Sequence, residues 1–472
     1  MLATESRGAP GARPIWDAFV AVAGQDPQAV AVIEGNRRTG YGDLRQHATA
    51  VARALEALDR DHPVGVWMPV GAAQAAALLG LWREGRVAVP LDPLAPIEAT
   101  RELLQVAGTP VVLCRVEDLE ELRARLGDRS VPVFAAGSLI EASALAAPAR
   151  AAAAGALGGA SLSFTSGTAG SRKGVLHSQA SLLFNAELNR AALEIGAGDR
   201  VLCPYPPTVN PALRDLLATL FAGAAFIPGA PRRDGVGSLV AAVREHGVTV
   251  LTSGVSLFRR VADELAETGG QGLESVRAVR LGGEAVLPID VRRARSLLPA
   301  CRLVYRGLGT TETGTLTQCF TRFEAPGDAE PAPGADDAVE LGLPTEGTDV
   351  DAIAVEGCIR DPLAKVGEVV NRGPGLALGY WRGPGELEPF RGEYRTGDLV
   401  GAGGPTAASS SSVASTVSSS SPAGGWSRRA WNAGSPDSTG CAPRPSCRRT
   451  RRRRDCGSSW RPSRRWRGAR CR

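Results

Sequence analysis

Short apolar runs and apolar positions at helical spacing alternate along most of this chain. Leu44 to Leu58 has a helical pattern, and the compact apolar run Val64-Gly65-Val66-Trp67 follows it. Ala72 to Arg83 again suits a helix, and Val87-Ala88-Val89-Pro90-Leu91 a short strand. Val111-Val112-Leu113-Cys114 continues the series, and a helix through Leu239 to Arg244 leads into a strand at Val248-Thr249-Val250-Leu251. Short buried strands separated by helices predict βαβ units. The expected fold is therefore α/β, with parallel-rich sheets flanked by helices in one body spanning residues 14–400. Ala142 to Ala160 and Phe323 to Asp337 are rich in small residues or in Pro, Gly and Asp, and read as loops or weak helix. No internal repeat is visible.

Composition changes this picture little. The 472 residues are 43% hydrophobic and 22% charged, ordinary values for a chain that buries a sizeable core. No run of eighteen apolar residues is present, and the N-terminus lacks the charged-then-apolar order of a signal peptide. A cytoplasmic protein without a membrane span is the expectation. The nine cysteines include no CxxC pair, so neither a zinc site nor a disulfide framework is indicated.

Charge changes the picture more. From Ala402 onward there are 15 Arg and two Asp, a net of +13, so a chain of net +5 leaves 5 − 13 = −8 for the rest. Residues 402–472 lack Leu, Ile, Phe, Met, Tyr, Glu and Lys, yet hold four of the eight Trp and four of the nine Cys. Such an Arg/Ser-rich stretch cannot bury a core and is expected to be disordered. Two readings compete. One is a basic, aromatic-bearing arm for nucleic acid. The other is a segment translated out of frame. Shifting the frame from Gly404 permits PDGRLVLVGRVDSQLKL, although its third bases are partly free. Trp has one codon, so Trp431-Asn432 forces Glu, as does Trp426-Ser427 with an AG-type serine codon. This second reading, together with the serine run, argues against a nucleic-acid partner.

The densest chemistry lies at Ser163-Phe164-Thr165-Ser166-Gly167-Thr168-Ala169-Gly170-Ser171-Arg172-Lys173-Gly174-Val175. Glycines and hydroxyl residues let backbone N–H groups wrap a phosphate, and Lys173 adds a mobile positive charge. A P-loop is excluded, because Arg172 precedes the lysine and Gly174 follows it. The bland alternative is a Gly/Ser loop with one exposed lysine. It is weakened because residues 14–400 contain only two lysines, Lys173 and Lys365. Glu312 alone could be a solvated residue at a helix start, and Asp398 alone a turn residue; His177 is more simply structural.

The segment resembles the TSGTTGxPKG signature of the adenylate-forming (AMP-binding) superfamily of acyl-CoA ligases, peptide-synthetase adenylation domains and luciferases. Leu281-Gly282-Gly283-Glu284 resembles the family's GGE turn beside adenine, and Gly309-Thr310-Thr311-Glu312 its YGxTE motif. Gly367-Glu368-Val369 with Gly379-Tyr380-Trp381 resembles the GE(I/L)…GYW strand pair, and Tyr394-Arg395-Thr396-Gly397-Asp398-Leu399 matches YRTGDL. All five occur in family order.

The resemblance implies the large N-terminal domain of the adenylate-forming fold. It implies ATP-dependent activation of a carboxylic acid as its acyl-adenylate, with the acyl group passed to coenzyme A or to carrier-protein phosphopantetheine. Thr165, Ser166, Gly167, Thr168 and Gly170 would hold phosphate, and Gly283, Glu284, Leu308, Gly309 and Asp398 the rest of the nucleotide. Lys173, Thr311 and Glu312 would be catalytic, with Glu312 holding Mg²⁺. Asn210 and Gly307 would line the acid pocket. Asn210 falls where amino-acid-activating relatives carry an Asp for the α-ammonium. An amide supplies no such charge, so an aryl, hydroxy or fatty acid is expected over an α-amino acid.

Three departures from the family stand out. Leu308 replaces an aromatic, and Ala169 and Arg172 replace Thr and Pro of the phosphate loop. The hinge and the small C-terminal cap domain with its catalytic lysine are absent as written, though the shifted frame spells GRVDSQ at the hinge. A catalytically impaired nucleotide-binding remnant is therefore the alternative reading.

Overall fold

Adjacent residues of the central strands belong to different cores in the computed structural model, which describes residues 14–56, 62–127, 133–135, 158–166, 172–268, 273–323, 341–354, 366–401 and 417–418. Val201, Val250, Ala278, Leu303 and Tyr305 join one apolar cluster, while Leu202, Leu251, Val279 and Val304 join another. Val64, Ala88 and Val111 likewise face the first cluster, and Trp67, Val89 and Val112 a third. Both faces of each central strand are buried, which is why these strands read as continuous apolar runs rather than alternating ones.

Two large sheets result. The first has nine strands, ordered Leu343–Pro344, Thr317–Arg322, Leu303–Arg306, Ala278–Gly282, Val250–Gly254, Arg200–Cys203, Ala225–Pro228, Val30–Glu34 and Arg37–Gly40. Its inner pairs are parallel, and its outer ones antiparallel. The second has eight, ordered Glu386–Pro389, Gly379–Gly383, Arg172–Ser178, Gly159–Ser166, Ala88–Leu91, Val64–Trp67, Val111–Cys114 and Val133–Ala135. It is parallel on one side and antiparallel on the other. A smaller antiparallel sheet joins Asp349–Ala354, Val366–Arg372, Tyr394–Gly401 and Val417–Ser418.

Helices fill the layer between the two large sheets. The helix Ala72–Arg83 is buried at almost every position from Ala72 to Trp82, as expected of a helix whose polar residues are only Gln74 and Arg83. Trp82 Nε1 donates to Ala160 O at 2.8 Å, so the indole spends its one donor on the sheet. A Cβ on Gly80 would lie 2.7 Å from Ala48 O, and its absence lets the helix Tyr41–Ala54 pack this closely.

Most expected elements are present, with shifted ends. The helix expected over Leu44–Leu58 runs Tyr41–Ala54, with Asp43 Oδ2 accepting from Gly40 N at 3.4 Å across its first turn. The strand expected at Val248 starts at Val250 instead, because Val248 N closes the preceding turn onto Val243 O. The expected loops Ala142–Ala160 and Phe323–Asp337 fall mostly outside the described residues. Of residues 402–472, expected to be disordered, only Val417–Ser418 is described, and it pairs with Leu399–Val400.

Candidate active site

The two ends of the stretch read as one phosphate loop pair as the arms of a hairpin. Strands Gly159–Ser166 and Arg172–Ser178 pair antiparallel, setting Thr165 opposite Lys173 and Ser166 opposite Arg172. Gly167, Thr168 and Gly170 lie outside the described residues. Lys173 therefore projects from a strand rather than a loop, and that strand is paired on its other side by Gly379–Gly383.

Tyr380 on that neighbouring strand links three of the expected motifs. Lys173 Nζ lies 5.2 Å from its ring centroid, within cation–π reach. Its hydroxyl donates to Glu312 Oε1 at 3.0 Å and is 3.0 Å from Tyr394 Oη. The Tyr380 ring meets Phe390 edge-on at 4.9 Å, so its orientation is fixed by packing. Burial pushes the Tyr380 phenol up to about 12, despite its bond to Tyr394. Burial and then the Glu312 charge raise Tyr394 as well. Both phenols stay protonated near neutral pH and act as donors.

Glu312 is buried, at 7% exposure. Its backbone carbonyl accepts from Ala377 N at 2.8 Å, which ties it to the chain just before Tyr380. Asp398 is near enough for charge coupling. Burial raises its carboxyl, followed by the negative charges of Glu312 and Glu368. The turn carrying it is built by Thr396, whose Oγ1 accepts from Asp398 N at 3.0 Å, and by Gly397 at φ +79°. Glu368 Oε1 accepts from Gly397 N at 3.1 Å, giving the Gly-Glu-Val strand a direct part in the site.

A second cluster meets this one at Thr311. Asn210 opens the helix Asn210–Phe221, where Nδ2 donates to Thr311 O at 3.0 Å and Oδ1 accepts from Ser163 Oγ at 2.7 Å. The same amide nitrogen is 3.0 Å from His177 Nε2. His177 is 1% exposed, and burial drives its pKa down to about 4, so the ring is neutral and accepts here. In sequence His177 looks merely structural, and its contact with Asn210 is visible only in three dimensions.

The remaining expected residues divide. Gly307 has a packing reason: a Cβ there would run into the carbonyl oxygen of Thr317. Leu308 packs on Leu316, Leu341, Val350 and Val369. Gly309 pairs with Thr315 in a two-residue ladder. Gly283 and Glu284 are exposed just past the strand Ala278–Gly282, where Glu284 accepts from Ser256 Oγ. Arg214, one helical turn beyond Asn210, is largely buried beside Asp215.

No cluster of three His, Cys, Asp or Glu residues suited to a metal exists among the described residues. Mg²⁺ does not need one. It takes one or two carboxylates and completes its shell with phosphate oxygens and water. A buried Glu312 coupled to Asp398, whose carboxyl is raised by burial and then by the like charges of Glu312 and Glu368, fits that donor set.

The sequence profile described as AMP-binding enzyme matches residues 19–381, most of the chain. The chain belongs to the AMP-binding enzyme family. It is 32% identical over 413 residues to phenyloxazoline synthase MbtB of Mycobacterium tuberculosis, covering 83% of this chain and 27% of that one. Against chondramide synthase cmdD of Chondromyces crocatus it is 29% identical over 416 residues, covering 83% of this chain and 10% of that one. The chain thus spans about a quarter or less of the length of these relatives. The nonribosomal peptide synthetase FmoA3 in its AMPPNP-bound form shares the fold, with a TM-score of 0.68 at 24% identity, over 84% of this chain and 42% of that one. Like other AMP-binding enzymes, this one carries the α/β body of the adenylate-forming fold. No helix among its described residues is long and apolar enough to cross a membrane.

Proposed function

We propose that this chain uses ATP to activate a carboxylic acid as its acyl-adenylate. A carboxylate oxygen would attack the α-phosphorus in line, forming the acyl–phosphate bond as the bond to the pyrophosphate oxygen breaks. This chemistry is mostly positioning and neutralisation of charge. The observation that carries the reading is the junction at Tyr380, where Lys173, Glu312 and Tyr394 from three separate family motifs converge.

Lys173 and Thr165, opposite each other across the hairpin, would contact phosphate oxygens. Thr311 would contact the α-phosphate, and Asp398 the ribose hydroxyls. Glu312 would hold Mg²⁺, with Tyr380 orienting its carboxylate. When bound, the ion would neutralise charge on the phosphate oxygens. Asn210 is uncharged, which favours an aryl, hydroxy or fatty acid over an α-amino acid. The acceptor would be a carrier-protein phosphopantetheine, because the relatives include nonribosomal peptide synthetases, with coenzyme A the other thiol in play.

ATP–pyrophosphate exchange across a panel of carboxylic acids tests the reading in a frame-restored chain. Exchange that depends on one acid class supports it. ATP binding with no exchange for any acid would instead identify a nucleotide-binding remnant.

A further inference from the structure

We propose that the acid carries a second oxyanion group, a carboxylate or sulfonate, received by Arg214 and Arg280. The inference rests on the acid-activating reading above and names the substrate class within it.

Arg280 interrupts the apolar strand Ala278–Gly282 yet is only 7% exposed. Its guanidinium lies over the Tyr305 ring at 5.1 Å, and Nη2 donates to Thr315 Oγ1 at 3.2 Å. Its Nε is buried with no hydrogen-bond partner among the described residues. Arg214 stands one helical turn beyond Asn210, on the same face of the helix, with its side chain 11% exposed. Its Nε donates to Asp215 Oδ1 at 2.8 Å. Its Nη2 is 2.7 Å from that same oxygen but is not aligned to form a hydrogen bond.

The charges do not balance. Among the described residues, Asp215, fully buried, is the carboxylate acting most strongly on both guanidiniums, and it also accepts from Asn189 Nδ2 at 3.0 Å. Two cations therefore face one anion where water is largely excluded. Burial, and then the charge of Arg214, lowers the Arg280 pKa. Uncompensated buried charge is costly and is normally paired. A planar guanidinium with free N–H groups matches an oxyanion better than any other ligand group.

Position connects this cluster to the reacting centre. Asn210 bonds the carbonyl of Thr311, and Thr315, bonded by Arg280, is three residues past Glu312. An acid activated at Thr311 and Glu312 would thus present its far end to the two arginines.

Calorimetric titration of the 472-residue chain with non-hydrolysable acyl-sulfamoyl-adenosines tests this in matched pairs. Suitable pairs are succinyl against butanoyl, glutaryl against pentanoyl, and 3-carboxybenzoyl against benzoyl. At least one charged member should bind about tenfold or more tighter than its partner, a difference of about 1.4 kcal/mol. Arg280→Gln and Arg214→Gln should each shrink that ratio. The wild-type ratio decides alone if a variant does not fold. Uncharged members binding as tightly as charged ones in every pair would overturn the proposal and leave adenylation standing. If no acyl compound bound more tightly than AMP, the acid-activating reading itself would fall, and this proposal with it.

Discussion

The Tyr380 hydroxyl donates to Glu312 Oε1 at 3.0 Å, joining the strand beside the phosphate hairpin to the carboxylate expected to hold magnesium. Tyr380→Phe removes that donor and leaves a buried carboxylate oxygen one partner short. Stability should fall by about 1–2 kcal/mol, read by urea unfolding. Apparent Mg²⁺ affinity in nucleotide binding should weaken by about tenfold or more, because the orienting bond is lost. An unchanged Mg²⁺ dependence would assign Tyr380 to packing alone.

Lys173→Ala and Glu312→Ala should each slow pyrophosphate exchange by about a hundredfold in a frame-restored chain, if each group supplies one transition-state contact. Steady-state exchange rates check this. Near-wild-type rates in both would place the phosphate site elsewhere.

Much of this site was legible one piece at a time. Apolar runs such as Val64–Trp67 and Val111–Cys114 announced their strands because burial on both faces leaves no room for polar alternation. Glu312, Lys173 and Asp398 were marked by their motifs. Tyr380 stands within its motif, but nothing in sequence spacing shows a phenol reaching across to a residue 68 positions away. Arg280 was harder still. A single arginine inside Ala278–Gly282 looks like an exposed position on a strand, and only the packing against Tyr305 shows it is inside. The paired arms Gly159–Ser166 and Arg172–Ser178 were not legible, because Gly159, Lys173 and Gly174 are residue types depleted in strands.

His177 gives the protein a measurable acid sensitivity. Its folded pKa of about 4 lies below the ordinary 6.5, so the unfolded chain binds the proton first as pH falls. Its contribution to stability is complete above about pH 6.5 and is lost progressively down to about pH 4. At about pH 5 the loss should be about 2 kcal/mol relative to pH 7. Urea unfolding at both pH values, compared with His177→Gln, isolates this share. An identical pH slope in the variant would remove His177 as its cause.

The composition break after Gly401 makes a genetic prediction. The encoding DNA should carry third bases that spell GRVDSQ in the shifted frame. Restoring that frame should add a compact domain, seen as a new protease-resistant fragment, and should raise exchange activity. Third bases that cannot encode the peptide would contradict the out-of-frame reading.

The most direct test of the account is a calorimetric titration of the 472-residue chain with AMPPNP and Mg²⁺, repeated with Lys173→Ala and Asp398→Ala. The account predicts one saturable site in the unaltered chain, weakened by about tenfold or more in each variant, as expected for losing a phosphate or ribose contact to a charged group. No saturable binding, or equal affinity in all three proteins, would contradict it.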